Sequence, residues 1–250
     1  LSSFMGCFSG GAPLPPDVCR QFEEKTGAII FEGYGLSETS PVASANPTSK
    51  EGRKIGSIGF PVPGTDIKIL DIDTATTELP QGEDGEIAVC GPQVMQGYWN
   101  NPEETGRQIV DGWLFMGDLA SREKDGYIKI YGRTKDLINR GGYKIYPHEL
   151  ESLIIDHPKI EQVAVVATPN PVLGESICAC VIPVPGETPT LKEIREFIKD
   201  KISPHKLPDE LCVMSDFPKL SGGVKIQKFG KDGLEELAQK DESRERIRRE

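Results

Sequence analysis

The sequence predicts a chain of mixed α/β and α+β architecture, and three observations carry that expectation. Its 27 glycines and 20 prolines make up about a fifth of 250 residues, against a usual level of roughly 12%, so turns are frequent and the strands between them short. Up to Arg133 the apolar residues fall in short β-like runs punctuated by Gly and Pro, whereas beyond it strands alternate with periodic helices, the pattern of a compact α+β unit. Charge changes at the same place: 11 basic face 19 acidic side chains up to Arg133, and 18 face 20 after it.

Taken in order, the first element is a helix from Pro15 to Lys25. Pro15-Pro16-Asp17 supplies a ring-fixed φ and an acidic first turn, and Gly27 a left-handed stop. A strand from Ile29 to Phe31 follows. The runs Gly56 to Pro63, Asp66 to Ile72 and Gly85 to Gly91 have a spacing that suits a sheet or small barrel better than βαβ units. Pro147 opens a helix through Glu149, Leu150, Leu153 and Ile154, which Pro158 closes. Val163 to Ala167 and Ile177 to Pro183 read as buried strands from their β-branched content. Thr190-Leu191-Lys192-Glu193 is a capping box, and Leu191, Ile194, Phe197, Ile198 and Ile202 place one apolar stripe on the helix it starts. Lys240 to Glu250, almost all charge of both signs, reads as a frayed or solvated helix tail.

Composition narrows the function classes. A formal charge of −10 disfavours nucleic acid as a partner. The longest apolar runs fall far short of the roughly 20 residues that span a bilayer, so no transmembrane helix is expected. The chain opens Leu1-Ser2-Ser3 with no initiator Met and no basic stretch before an apolar one, which reads as the lack of a secretory signal and as a cut within a longer protein. Six cysteines without a C-x-x-C pair or a His at zinc spacing read as reduced thiols of a cytoplasmic protein. Cys178 and Cys180, two apart in a strand, share one face.

Four segments carry chemistry. In Ser9-Gly10-Gly11-Ala12-Pro13-Leu14, two glycines let the backbone approach a flat ligand while Pro13 stiffens the exit, although the same letters also make an ordinary strand-to-helix turn. Tyr34-Gly35-Leu36-Ser37-Glu38-Thr39 sets an aromatic ring, a hydroxyl and a carboxylate within six residues: the ring can stack on a base, Ser37 can donate to a phosphate oxygen, and Glu38 offers a hard oxygen suited to phosphate-bound Mg²⁺, although the same residues also read as a core tyrosine and a solvated charge. In Gly112-Trp113-Leu114-Phe115-Met116-Gly117-Asp118 a single acid follows an apolar approach, where it either caps a turn or accepts from both hydroxyls of a ribose. Gly132-Arg133-Thr134-Lys135-Asp136 then supplies a guanidinium able to reach the same ribose or its phosphate.

In this order and spacing, over roughly residues 5 to 230, the chain resembles the adenylate-forming enzymes: acyl-CoA synthetases, luciferases and peptide-synthetase adenylation domains. The resemblance includes Gly85 to Gly91, Gly97 to Thr105 and Gly132 to Glu151. Tyr-Gly-Leu-Ser-Glu-Thr-Ser-Pro at Tyr34 to Pro41 and Tyr-Pro-His-Glu-Leu-Glu at Tyr146 to Glu151 look most like medium- or long-chain fatty acyl-CoA synthetases, with aryl-CoA ligases the near competitor. The resemblance implies that residues 1–134 are the end of a large AMP-binding domain, a sheet layer plus a β-rich barrel-like subdomain. Residues 135–238 would be a mobile α+β lid and 239–250 a charged tail.

It also implies a two-step reaction in which a carboxylic acid, here a fatty acid, and ATP give an acyl-AMP, from which coenzyme A then displaces AMP. Glu38 would bind Mg²⁺ and Ser37 the phosphate. Asp118 would bind the ribose hydroxyls and Arg133 the ribose or phosphate, with Gly10, Gly11, Ala12, Pro13, Tyr34 and Gly35 around the nucleotide. Lys135 matches the hinge, and Gly141 and Gly142 the tight loop beside the pantetheine tunnel.

Two departures stand out. The family's Pro-Lys-Thr-x-x-Gly-Lys ending appears as Pro218-Lys219-Leu220-Ser221-Gly222-Gly223-Val224-Lys225, one residue too long. Lys225, followed by Ile226, is the expected catalytic lysine, and Lys219 or Lys228 takes its place if the loop is bulged. Met116 stands where Thr is usual before Gly-Asp, and is expected to affect packing. The family's Ser/Thr/Gly-rich phosphate loop has no counterpart in the chain, so these 250 residues are expected to be inactive alone. A degenerate relative that holds a nucleotide or acyl-AMP without turnover is the alternative.

Overall fold

The structure, a computed structural model, describes residues 6–12, 14, 16–219 and 226–246. It begins with a parallel pair: strand Gly6–Ser9 runs beside Ile29–Tyr34, in register from Gly6 opposite Ile29 to Ser9 opposite Glu32, and helix Pro16–Thr26 makes the crossover. Gly27 stops that helix with φ +72° and donates its N–H to the Glu23 carbonyl at 2.8 Å. The short strands Ser44–Ala45 and Phe60–Pro61 extend this sheet antiparallel, so much less of the run from Gly56 to Pro63 is strand than its composition suggests.

A separate antiparallel sheet follows, in the order Asp66–Leu70, Gly85–Cys90, Trp113–Arg122, with Ile109–Val110 and Ile128–Arg133 both pairing the last of these. Alternate residues Ile67, Ile69, Ile87, Val89, Leu114 and Met116 are buried together, which is the period of two expected of a sheet with one covered face. Met116 therefore packs in a core, and Tyr34 and Leu36 pack partly against that same cluster. Asp118 has the same parity in the Trp113–Arg122 strand as Leu114, Met116 and Ala120 and is buried like them, and the register with Ile128–Arg133 shifts just beyond it, between Leu119 and Ala120.

The chain divides into two compact units, Leu1–Thr134 and Lys135–Glu250. In the second, Gly174–Pro183 is the central strand, antiparallel to Ile160–Asn170 and parallel to Glu210–Val213. It is buried on both faces. Ile177, Ala179 and Val181 meet Leu150 and Ile154 of helix Pro147–Ile154 and Leu191, Ile194 and Ile198 of helix Leu191–Ile198. Cys178 and Cys180 face the other way and join Cys212, with Leu234 and Ala238 of helix Leu234–Lys240. The unit is thus a sheet between helices, and each fully buried Ile or Leu contributes roughly 1.5–3 kcal/mol. The Thr190 capping box forms, with Thr190 Oγ1 accepting from the Glu193 N–H at 3.3 Å and Glu193 Oε2 from the Thr190 N–H at 2.9 Å.

The end of the chain departs from expectation. The boundary at 238 falls inside helix Leu234–Lys240, and Glu245–Arg246 is a strand paired with Glu210–Val213. Arg244 is buried against Glu210 at 3.3 Å, and Glu245 accepts from the Leu191 N–H at 2.7 Å. Charge of both signs reads as solvated in sequence, but here Arg244 and Glu245 find partners, and Glu245–Arg246 joins the sheet edge. No helix among the described residues is long and apolar enough to cross a membrane.

Candidate functional site

The carboxyl ends of the two parallel strands define one place in the first unit. Gly10-Gly11-Ala12 leaves the first strand there and Tyr34-Gly35 the second, the position where open parallel sheets present loops to ligands. A side chain at Gly10 would stand 3.2 Å from the Gly33 carbonyl, and Gly11 has φ +83°. Pro13 lies outside the described residues, as does Lys225.

Gly35 allows the turn that follows. A Cβ on it would sit 1.8 Å from the Pro41 carbonyl oxygen. The turn is knotted by buried Thr39, whose hydroxyl accepts from the Leu36 N–H at 2.9 Å and stands 2.9 Å from the Pro41 carbonyl. Ser37 opens the resulting 3₁₀ turn with its side chain exposed. Next to it, Glu38 accepts at Oε1 from the Tyr98 hydroxyl at 2.9 Å, and its carbonyl receives the Met95 N–H at 2.8 Å. Burial, with the Glu38 carboxylate second, pushes the Tyr98 hydroxyl up to about 12.

The turn also aims Tyr34 at the antiparallel sheet. Its hydroxyl donates to Asp118 Oδ2 at 2.5 Å, while Arg133 Nε stands 2.9 Å from Asp118 Oδ1. Asp118 and Arg133 are direct cross-strand partners, so the fourteen residues between them return the guanidinium to the carboxylate. Asp118 therefore caps no turn: it lies in mid-strand, buried, with both oxygens engaged. Gly117, at φ +67°, leaves room beside it, with Arg133 Nη1 4.0 Å from where a Cβ would be. Burial, with the Asp118 charge second, raises the Tyr34 hydroxyl far above its ordinary value and keeps it a neutral donor. Glu86 completes the cluster by accepting the Gly117 N–H at 3.2 Å, and its carboxyl is raised, first by burial and then by the Asp118 charge.

Glu86 and Tyr98 are the residues that sequence reasoning missed. Both lie in segments carrying the resemblance, but only strand pairing brings them to Gly117 and Glu38.

In the second unit, Lys135 is exposed, its ammonium 5.3 Å from the centre of the Phe229 ring. Gly141 and Gly142 form a two-residue hairpin between Ile138–Arg140 and Tyr143–Ile145, with φ +60° and +89°. The turn by itself calls for glycine at both positions. Of the other lysines considered, Lys219 pairs with Asp216 at 3.4 Å, and Lys228 donates to Glu151 at 2.8 Å and lies 3.8 Å from Asp136. A bridge between Lys219 and Ile226 joins the two flanks of residues 220–225.

Comparison with known proteins accords with this arrangement. Residues 1–99 match the family model of the AMP-binding enzymes, and residues 149–223 that of the AMP-binding enzyme C-terminal domain. A long-chain-fatty-acid–CoA ligase of Bacillus subtilis (strain 168) is 42% identical over 223 residues, 89% of this chain and 40% of that protein. The 4-coumarate–CoA ligase-like 4 of Oryza sativa subsp. japonica is 35% identical over 230 residues, 91% of this chain and 42% of that one. The crystal structure of ATP-bound MatB from Rhodopseudomonas palustris matches with a TM-score of 0.84 at 34% identity, over 93% of this chain and 45% of that one. The chain thus spans about two fifths of the curated relatives it matches. With both family models met in order along it, the chain belongs to the adenylate-forming superfamily of AMP-binding enzymes.

Proposed function

We propose that this chain is the C-terminal part of an ATP-dependent acyl-CoA ligase, which converts a carboxylic acid and ATP to acyl-AMP and pyrophosphate, then acyl-AMP and coenzyme A to acyl-CoA and AMP. The observation that carries the reading is the meeting of Tyr34, Asp118 and Arg133 across two sheets, beside a glycine loop at the carboxyl ends of parallel strands. In this reading residues 1–134 end the large domain, with a sheet layer and a barrel-like subdomain, and residues from 135 form the lid. The setting is the cytoplasm, where the thiols of Cys178, Cys180 and Cys212 stay reduced.

Each residue then has a task. Asp118 accepts from the ribose hydroxyls in exchange for Tyr34, and Arg133, tied through Nε, offers its Nη edge to the ribose or phosphate. Gly10, Gly11, Ala12, Pro13, Tyr34 and Gly35 flank the nucleotide, where bare backbone admits a flat ring. The exposed Ser37 hydroxyl donates to a phosphate oxygen. Glu38 suits Mg²⁺, which takes one or two carboxylates together with substrate phosphates. Tyr98 orients that carboxylate, and among the described residues no group of three or more His, Cys, Asp or Glu forms a cage for a metal. When bound, Mg²⁺ neutralises the phosphates against which the acid must approach. Lys225 supplies the cation beside the reacting carboxylate and α-phosphate. Lys135 is the hinge, and Gly141 and Gly142 border the path of pantetheine.

Fatty acids are the favoured substrates, on the likeness to the Bacillus ligase. The test is pyrophosphate release by the complete polypeptide over a panel of fatty and aromatic acids, with acyl-CoA detected by mass. Aromatic acids alone reacting moves the reading to an aryl-CoA ligase, and nucleotide binding without product moves it to an inert binder. Lys225→Ala is expected to cripple acyl-AMP formation and spare the thioester step from supplied acyl-AMP; equal loss in both removes that role.

A further inference from the structure

Lys228 and Phe229 hold both residues that open the second unit. Lys135 stands over the Phe229 ring. Lys228 Nζ links Asp136, at 3.8 Å, to Glu151 of helix Pro147–Ile154, at 2.8 Å, and reaches the Val165 carbonyl at 3.4 Å. Glu151 also accepts the Val165 N–H at 2.8 Å, so the ammonium is tied to a helix and to strand Ile160–Asn170 together. The backbone carrying Lys228 is itself pinned: the Lys228 carbonyl receives the Glu235 N–H at 3.0 Å, and the Gln227 carbonyl the Leu234 N–H at 2.8 Å. On the other side of the boundary Arg133 is fixed in the first unit through Asp118.

We infer that Lys228 and Phe229 are positioning residues that fasten Lys135 and Asp136 to the body of the second unit, and so confine rotation between the units to the single linkage at Thr134–Lys135. The inference rests on the hinge reading of Lys135. A pivot is sharp only when the residues on each side travel with their own body. Were Lys135 and Asp136 untethered, the change in φ and ψ would spread over several residues and the rotated arrangement would lose its definition. Glu151 is the stronger anchor of Lys228 by distance, which makes Asp136 the group being held and the helix the group that holds it.

The test uses the complete polypeptide and two separate assays: ATP–pyrophosphate exchange with the acid that wild type uses best, and CoA-dependent thioester formation from the matching acyl-AMP. Lys228→Met is expected to slow the thioester step by about 10-fold while exchange stays within about 3-fold, and Lys228→Arg to restore it. Asp136→Asn added to Lys228→Met is expected to cost little more, since the pair acts as one contact. Phe229→Leu, which keeps apolar bulk and removes the ring beneath Lys135, is expected to shift the same ratio by about 2-fold and covers a failure of Lys228→Met to fold. Equal losses in both assays, or fully additive effects of the two charge variants, overturn the inference. If wild type performs neither half-reaction, the acyl-CoA ligase reading falls and this one with it.

Discussion

Two charge clusters, one in each unit, are built from similar parts and differ in what they leave open. Around Asp118, the carboxylate side chain is 8% exposed while its partner Arg133 is 43% exposed, so a guanidinium edge faces outward from a buried anchor. Around Lys228 the ammonium, Asp136 and Glu151 are 18%, 16% and 21% exposed, and the charges face one another. Burial and pairing are common to both. The cluster with one buried and one half-exposed member is the one able to exchange an internal partner for a ligand, and the closed one is suited to fastening backbone.

The largest effect on this contrast is expected from Gly35→Ala. The new Cβ would meet the Pro41 carbonyl, which is backbone and cannot turn aside, so the turn that aims Tyr34 must move. A loss of about 3 kcal/mol in stability is expected, read from denaturant midpoints of the complete polypeptide. A midpoint unchanged from wild type contradicts the tight turn.

Next in size is Asp118→Ala. It removes a charged acceptor from the open cluster and is expected to weaken ATP binding by roughly 1–3 kcal/mol, measured by calorimetry. Lys228→Met, in the closed cluster, is expected to leave that affinity unchanged. Equal weakening by both variants erases the distinction between the clusters.

Much of the scaffold is legible in sequence because its signals are local. Gly27 stops a helix by left-handed φ, Thr190 and Glu193 cap one reciprocally, and Pro147 opens one. Gly141-Gly142 marks a hairpin by the same local logic, whatever else it does. The site is legible in part. Tyr34, Asp118 and Arg133 are conspicuous by type and spacing, but their hydrogen bonds depend on register between strands far apart in the chain. For that reason Tyr98 beside Glu38, and Glu86 beneath Gly117, escape a reading by segments. The tail is the opposite case. Its composition indicates solvent, yet Arg244 pairs with buried Glu210 of a strand and Glu245 accepts the N–H that opens helix Leu191–Ile198, partners far away in the chain.

The smallest expected effect separates the units by pH, through two glutamates displaced in opposite directions. Glu193, in the capping box, is held down to about 2 from the usual 4.5, first by Lys159 at 2.8 Å and then by the Thr190 N–H. Its contribution is therefore complete above pH 4.5 and is lost as pH falls from there toward 2. Glu86, beside Asp118, is raised above 4.5 by burial, so the native state binds the proton more tightly and stability declines as pH rises through that value. Glu193→Gln is expected to lower protection of the Leu191–Ile198 amides at pH 7 and to match wild type near pH 2. Glu86→Gln keeps an acceptor for the Gly117 N–H and is expected to gain stability relative to wild type as pH rises from 4 to 7. Hydrogen exchange from pH 2 to 7 reads both. Parallel responses of the two variants would mean that Glu86 is no more desolvated than the exposed cap, and the open cluster would lose the buried, low-dielectric floor on which its proposed use as a ligand site depends.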